Sequence, residues 1–552
     1  MTQMNNFPSN QHNNHLYIPA KKFQKKVAYF SMEFAIHQGL DTYSGGLGFL
    51  AGSHMLSAYS LKQNVVGIGM LWKYGYYSQA RKDDQTMEPR AIQKYYNFLE
   101  DTGIEVGVRI HENFDVKVRA YLLRPEVFNT VPIYFLTTDL DSNDYLSRTI
   151  TNYLYDANEV TRVSQSIVLG IGGAKIMEAL GGADIYHLNE GHALPAFYYL
   201  RDRGITKDQM VFTTHTPEKG GNEERNAYYL NDCGFFGRNL SDEELRKEMV
   251  NGDNLNYTIS ALRFAKRSNA VSKLHSKVAD GMWKNYENIS KIIPITNAQN
   301  EVFWQDVDLK KAFVKRNQTA FQNRKRSLKQ QLFQEVLKQT GKLFDPDVLT
   351  IVWARRFAGY KRADLLLHDL HRFEELVRDQ NRPIQIIWAG KPYPMDFDGI
   401  GIFNRLVKYT AEKPNLAVLV GYEIDLSRKL KLGADIWLNN PRITREASGT
   451  SGMTAAMNGA VNLSTNDGWI PEFQRHGENS FVLPEIDHLL PVEQQDAIDS
   501  DNLYAILENE VIPLFYEDKE QWMNIVFKSM EDILPEFGSD RMATEYYDRL
   551  YS

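Results

Sequence analysis

Two series of short, continuously apolar runs, each ending in a loop and followed by a helical stretch, restrict this chain more than any other feature. The first series occupies residues 27–34, 183–188, 210–214 and 292–297; the second occupies 349–353, 383–388, 416–420 and 434–438. Runs without polar alternation are buried on both faces, which is the habit of parallel strands flanked by helices. Their alternation with helices implies doubly wound sheets. A Lys- and Gln-rich helical stretch from about 300 to 345 separates the two series. At 552 residues the chain is too long for one core, so two domains are expected. The expected division is a polar, Asn-rich disordered lead-in at 1–26, one Rossmann-like domain at 27–300, a second at 301–500, and helices at 501–552 that return to the first. The fold class is α/β, two doubly wound domains facing a central cleft.

Composition excludes several classes of partner. A net charge of −7 without a long basic run argues against nucleic acid. No apolar run is long enough to span a bilayer, so no membrane partner is expected. One cysteine, Cys233, precludes an internal disulfide and suits a reduced, cytoplasmic setting. No metal site is expected.

In open parallel sheets, ligands bind beyond the carboxyl ends of the strands, and the polar loops of this chain lie there. After 27–34 comes Tyr43-Ser-Gly-Gly-Leu-Gly48, opening a helix; Gly45, Gly46 and Gly48 in this order bring an anion to a helix N-terminus. After 183–188 comes Asn189-Glu-Gly-His192, and after 210–214 comes His215-Thr-Pro217. After 349–353, Arg355, Arg356, Lys361 and Arg362 put four cations within eight residues, where arginine can grip a phosphate through paired N–H donors. After 434–438, Glu446-Ala-Ser-Gly-Thr-Ser-Gly-Met453 joins one carboxylate to small residues. Backbone N–H groups here, with Ser448, Gly449, Thr450 and Ser451, suit an anion or a sugar at the start of a helix expected over 453–460.

In wording, EASGTSGM followed by AAMNGA, together with SMEF, TYSGGLG, LNEGH, FTTHTP and RRFAGYKR, resembles the α-glucan (glycogen) phosphorylases, in their short bacterial-type form. The resemblance covers most of residues 27–500. It implies a GT-B fold and retaining glucosyl transfer between α-1,4-glucan and phosphate, giving glucose 1-phosphate. By this match His215 offers its backbone carbonyl to positive charge at the sugar, and Arg356 and Lys361 hold the transferable phosphate. Arg355 lies near the cofactor phosphate, Asn297 and Glu446 meet the donor sugar, and Gly45, Gly46 and Gly48 lie over phosphates. Asn189 and His192 support the loop, and Lys391 is peripheral. A homodimer is the expected assembly.

Two positions depart from the family. The lysine that carries pyridoxal phosphate as a Schiff base is here Thr454, which cannot form an imine. The usual Asn-Gly is here Asn297-Ala-Gln-Asn300. Since the family uses the cofactor's phosphate to exchange a proton with substrate phosphate, losing the lysine removes a tether first, and noncovalent binding stays open. A cofactor-independent transferase using a nucleotide sugar is the second reading, and a noncatalytic glucan-binding or regulatory protein the third.

Overall fold

A computed structural model describes residues 17–111, 115–218 and 221–552. Residues 1–16 of the expected lead-in fall outside the described residues. Within residues 17–26, Tyr17 and Phe23 are held against the rest of the chain. The Tyr17 hydroxyl donates to Ala58 O at 3.1 Å, and Phe23 is buried.

The apolar runs form two sheets. In the first, nine strands run in the spatial order Ile292–Pro294, Arg267–Ala270, Met210–Thr214, Ile185–Asn189, Val27–Phe30, Val65–Met70, Ile133–Thr137, Asp115–Leu123, Glu100–Arg109. Pairing is parallel up to Ile133–Thr137 and antiparallel beyond. That antiparallel pair has an exposed face and alternates buried with open residues, so it carries no continuous apolar run.

The second sheet is wholly parallel, ordered Leu416–Leu419, Ile384–Ala389, Leu349–Ala354, Ile436–Asn439, Val461–Ser464, Ser480–Val482. Numbered along the chain this is 3-2-1-4-5-6, so the direction of winding reverses between Leu349–Ala354 and Ile436–Asn439. Connections leave in opposite directions at such a point and open a crevice at the carboxyl ends. Arg355 and Arg356 follow the first of these strands, and the loop bearing Glu446 follows the second. In the first sheet the reversal lies between Val27–Phe30 and Ile185–Asn189, which places Glu33 beside Asn189 and Glu190.

The return of the C-terminus begins late. Helices Val492–Ile506 and Lys519–Phe537 pack on the second sheet, where Asp499 pairs with Arg362 at 2.7 Å. Only Ser539–Glu545 and the turn after it cross to the first sheet. There Ser539 Oγ meets Ser57 Oγ at 2.6 Å and Tyr551 OH meets His187 Nδ1 at 2.7 Å. No helix among the described residues is long and apolar enough to cross a membrane, and no cluster of three metal-ligating side chains occurs among them.

Candidate functional site

One cavity of about 550 Å³ lies between the carboxyl ends of the two sheets. Of the twelve residues singled out for catalysis or binding, Gly45, Gly46, Asn297, His215, Arg355, Arg356, Lys361, Glu446, Ser448, Gly449 and Thr450 line it. Gly48 does not. A Cβ there would lie 2.5 Å from Tyr43 Cβ and 3.0 Å from Glu33 Oε2, so this glycine permits close packing rather than ligand approach. Thr454 is likewise absent from the wall, fully buried, with its hydroxyl donating to Ser451 O at 2.9 Å.

The wall from the second sheet is built around Glu446. Arg355 Nη2 donates to Glu446 Oε2 at 2.8 Å, and Lys361 Nζ bonds the same oxygen. Burial works to raise the Glu446 carboxyl, but the charges of Arg355 and Lys361 prevail and hold it at about 2. Gly449, at φ +87°, lets the loop pass the guanidinium; a Cβ there would lie 3.2 Å from Arg355 Nη2. Arg356 is open to the cavity and makes no ion pair among the described residues. Lys361 sits in a short 3-10 turn, Gly359–Lys361. Helix Ser451–Ala456 starts at this wall, two residues earlier than the sequence suggested, and ends sooner because Gly459 adopts φ +72°.

Five buried polar atoms of the lining residues have no partner among the described residues: Arg162 Nη1, His192 Nδ1, Asn297 Oδ1, Arg355 Nη1 and Ser448 Oγ. Such orphans are costly unless a ligand or solvent satisfies them. Arg355 Nη1 and Ser448 Oγ can both donate to an anion oxygen. The phosphate end of pyridoxal phosphate therefore fits this wall, whereas Thr454 offers no amine to its aldehyde.

The wall from the first sheet is acidic. Glu33, Glu190 and Glu223 line it, with Arg162 paired to Glu223 at 2.6 Å. Sequence reading assigned these carboxylates no role; Glu33 sat inside the run read as 27–34, whose strand ends at Phe30, and Glu190 two residues beyond the run 183–188. Glu33 Oε2 accepts Ser44 N at 2.6 Å and Gly45 N at 3.2 Å, taking two donors of the glycine loop. Glu190, at φ +73°, accepts His215 N at 2.8 Å and Thr216 Oγ1 at 3.2 Å, and burial raises its carboxyl. His215 Nε2 meets Asn189 Oδ1 at 2.7 Å, and burial lowers the imidazole to about 3, so the ring is neutral. Asn189 also donates to Ser31 Oγ at 3.1 Å, and His192 lines the cavity. Lys391 is held by Tyr77 O at 2.9 Å and Glu423 at 3.1 Å.

The departure after Asn297 has a structural reason. Ala298 is fully buried in the core, and Asn300 caps helix Glu301–Trp304 by accepting Phe303 N at 2.9 Å. Its amide donates to Ser57 Oγ at 2.8 Å, so it serves the helix and not the cavity.

A family model described as carbohydrate phosphorylase matches residues 307–483. An uncharacterized protein of Methanocaldococcus jannaschii is 46% identical over 531 residues, spanning 96% of this chain and 100% of that protein. A maltodextrin phosphorylase of Thermococcus litoralis is 33% identical, over 96% of this chain and 71% of its own length. A glycogen phosphorylase of Aquifex aeolicus is 30% identical, over 96% and 86% respectively.

Proposed function

The chain belongs to the carbohydrate phosphorylase family, and from that premise we propose that it transfers glucosyl units between the end of an α-1,4-glucan and inorganic phosphate, with retention at the anomeric carbon. The observation that carries this reading is the electrical polarity of the cavity. Arg355, Arg356, Lys361 and Lys391 face it from one side against the single carboxylate of Glu446, while Glu33, Glu190 and Glu223 face it from the other against Arg162. A sugar that becomes positive while a phosphate becomes its partner or leaving group needs such a field.

In this reading Arg356 and Lys361 grip the transferable phosphate, Lys361 exchanging part of its contact with Glu446 for the incoming anion. Glu446 and Asn297 Oδ1 accept from sugar hydroxyls and fix the ring for attack. Glu190 accepts from His215 N on one side and from Thr216 Oγ1 on the other, which holds the intervening His215–Thr216 peptide and lets the His215 carbonyl present a fixed dipole to the anomeric centre. Where pyridoxal phosphate binds, it supplies a phosphate that can relay a proton to the substrate phosphate. Arg355 and Ser448 are the residues that would hold it.

The test is a donor comparison with purified protein and a maltooligosaccharide. The expected result is phosphate-dependent release of α-glucose 1-phosphate, seen by phosphorus NMR, and chain extension in reverse. Extension from a nucleotide sugar with none from glucose 1-phosphate would replace this reading, and tight glucan binding without turnover of any donor would reduce the protein to a binding role.

A further inference from the structure

The loop that carries Glu446 reaches the cavity through a costly turn. Thr444 adopts φ +69°, a left-handed backbone that a β-branched residue rarely takes, so the contacts around the turn have to hold it there. Upstream, Arg442 N donates to Tyr360 O at 2.9 Å, and the Arg442 guanidinium grips Asp496 through Nε at 3.0 Å and Nη2 at 2.6 Å. Both partners lie on the side of the second sheet. Beyond Glu446, Ala447 O accepts Ser272 Oγ of the first domain at 2.7 Å. On the near side of Glu446 the first domain is reached by one side chain: Arg445 Nη1 lies 2.7 Å from Glu218 Oε1, the single ionic or hydrogen-bonded tie of residues 442–445 to that domain among the described residues.

Glu218 follows His215 by three residues, and its own backbone carbonyl accepts Asn222 Nδ2 at 2.7 Å and Gly221 N at 3.1 Å. One ion pair therefore links, across the cleft, the loop that presents the His215 carbonyl to the residue beside Glu446. Both side chains are close to half exposed, so the pair adds little to stability and is screened by salt. Packing does not replace it. A second cavity, of about 230 Å³, is lined by Pro217, Glu218, Thr444 and Arg445, which leaves the turn room to relax once the pair is lost. Thr216 and Glu446, two residues and one residue away along the chain, line the central cavity, so a shift at the pair is carried to the groups that face the sugar.

We propose that Arg445 and Glu218 are positioning residues, whose ion pair clamps the two loops at the separation that lets the Glu446 carboxylate fix the sugar ring while the His215 carbonyl faces its anomeric carbon. Neither side chain touches the substrate. The kinetic consequence of the clamp rests on the glucosyl transfer proposed above; its structural consequence, an ordered turn at 442–446, rests on the ion pair alone. Alignment at the reacting centre acts on kcat rather than on ground-state binding, and a misplacement of about 1 Å costs on the order of a hundredfold.

In full-length protein, Arg445→Ala and Glu218→Ala should each lower kcat for phosphorolysis of a maltooligosaccharide roughly tenfold to a hundredfold, with KM for phosphate within about twofold and the melting temperature unchanged. The double variant should fall no further than either single one, and Arg445→Lys should recover most of the loss. Raising potassium chloride from about 0.05 to 1 M should lower kcat of the wild type at saturating substrate far more than that of Arg445→Ala. Amide hydrogen exchange across residues 442–448 should quicken in both single variants, whether or not glucan turns over. A kcat of Arg445→Ala within about twofold of wild type would overturn the proposal, as would losses that add in the double variant. Unchanged exchange in both variants of a protein that phosphorolyses glucan overturns the clamp and leaves the proposed function intact. Quickened exchange in variants of a protein that turns over no glucan does the reverse.

Discussion

At the residue scale, Arg355, Arg356 and Lys361, three of the cations that line the cavity, differ in what already satisfies them. Arg355 and Lys361 share Glu446, whereas Arg356 has no carboxylate partner among the described residues. Replacing Arg356 by Ala should therefore leave thermal stability nearly unchanged but reduce kcat/KM for phosphate by about 10²–10³, on the order of 3 kcal/mol of lost charge stabilisation. Glu446→Gln should behave in the opposite way. It strands two buried cations, so unfolding should show a loss of roughly 3–5 kcal/mol; an unchanged melting temperature would contradict the central role given to this carboxylate.

The same loop sets a pH window. Glu446, held at about 2, gives stability that is complete above its ordinary value of 4.5 and is lost as pH falls from there toward 2. Asp467 accepts Glu446 N at 2.9 Å, and burial raises its carboxyl to about 7 from 3.8. Its contribution is complete below 3.8 and is lost as pH rises through 7. Denaturation across pH should show both limbs, and Asp467→Asn should flatten the alkaline one.

At the scale of elements, the glycine loop before helix Gly46–Ser60 separates two uses of one residue type. A Cβ at Gly46 meets nothing within 4 Å, whereas a Cβ at Gly48 collides with Tyr43. Gly46→Ala should hold its melting temperature while weakening anion binding, because only the cavity is altered. Gly48→Ala should lower the melting temperature by an amount typical of overpacking, about 1–3 kcal/mol. Calorimetry with and without phosphate distinguishes them. The composition of the loop could not, since both glycines read alike until their neighbours are known.

At the scale of the whole molecule, residues 538–552 tie the two halves together. Met542, Tyr546, Leu550 and Tyr551 are buried in the first domain, although the helix before them packs on the second. Burying each such side chain contributes about 1.5–3 kcal/mol, so deleting the segment should remove cooperative folding of the first sheet. The milder Tyr551→Phe loses one hydrogen bond to His187 and should cost about 1 kcal/mol in chemical denaturation.

The two parallel sheets were legible because strands buried on both faces must be apolar throughout, and that need is written locally at 349–353 or 416–420. The loops after those strands were legible for the same reason, since chain leaving a sheet's carboxyl end must turn polar. The antiparallel pair 100–123 left no such mark, because its open face allows charged residues. Pairing was a different matter. That Arg355 and Lys361 share Glu446 and that Glu33 takes the glycine loop's donors depend on contacts between residues far apart in the chain. Local sequence fixed which groups could be charged; the tertiary structure decided which charges meet, because burial removes the water that would otherwise answer each one separately.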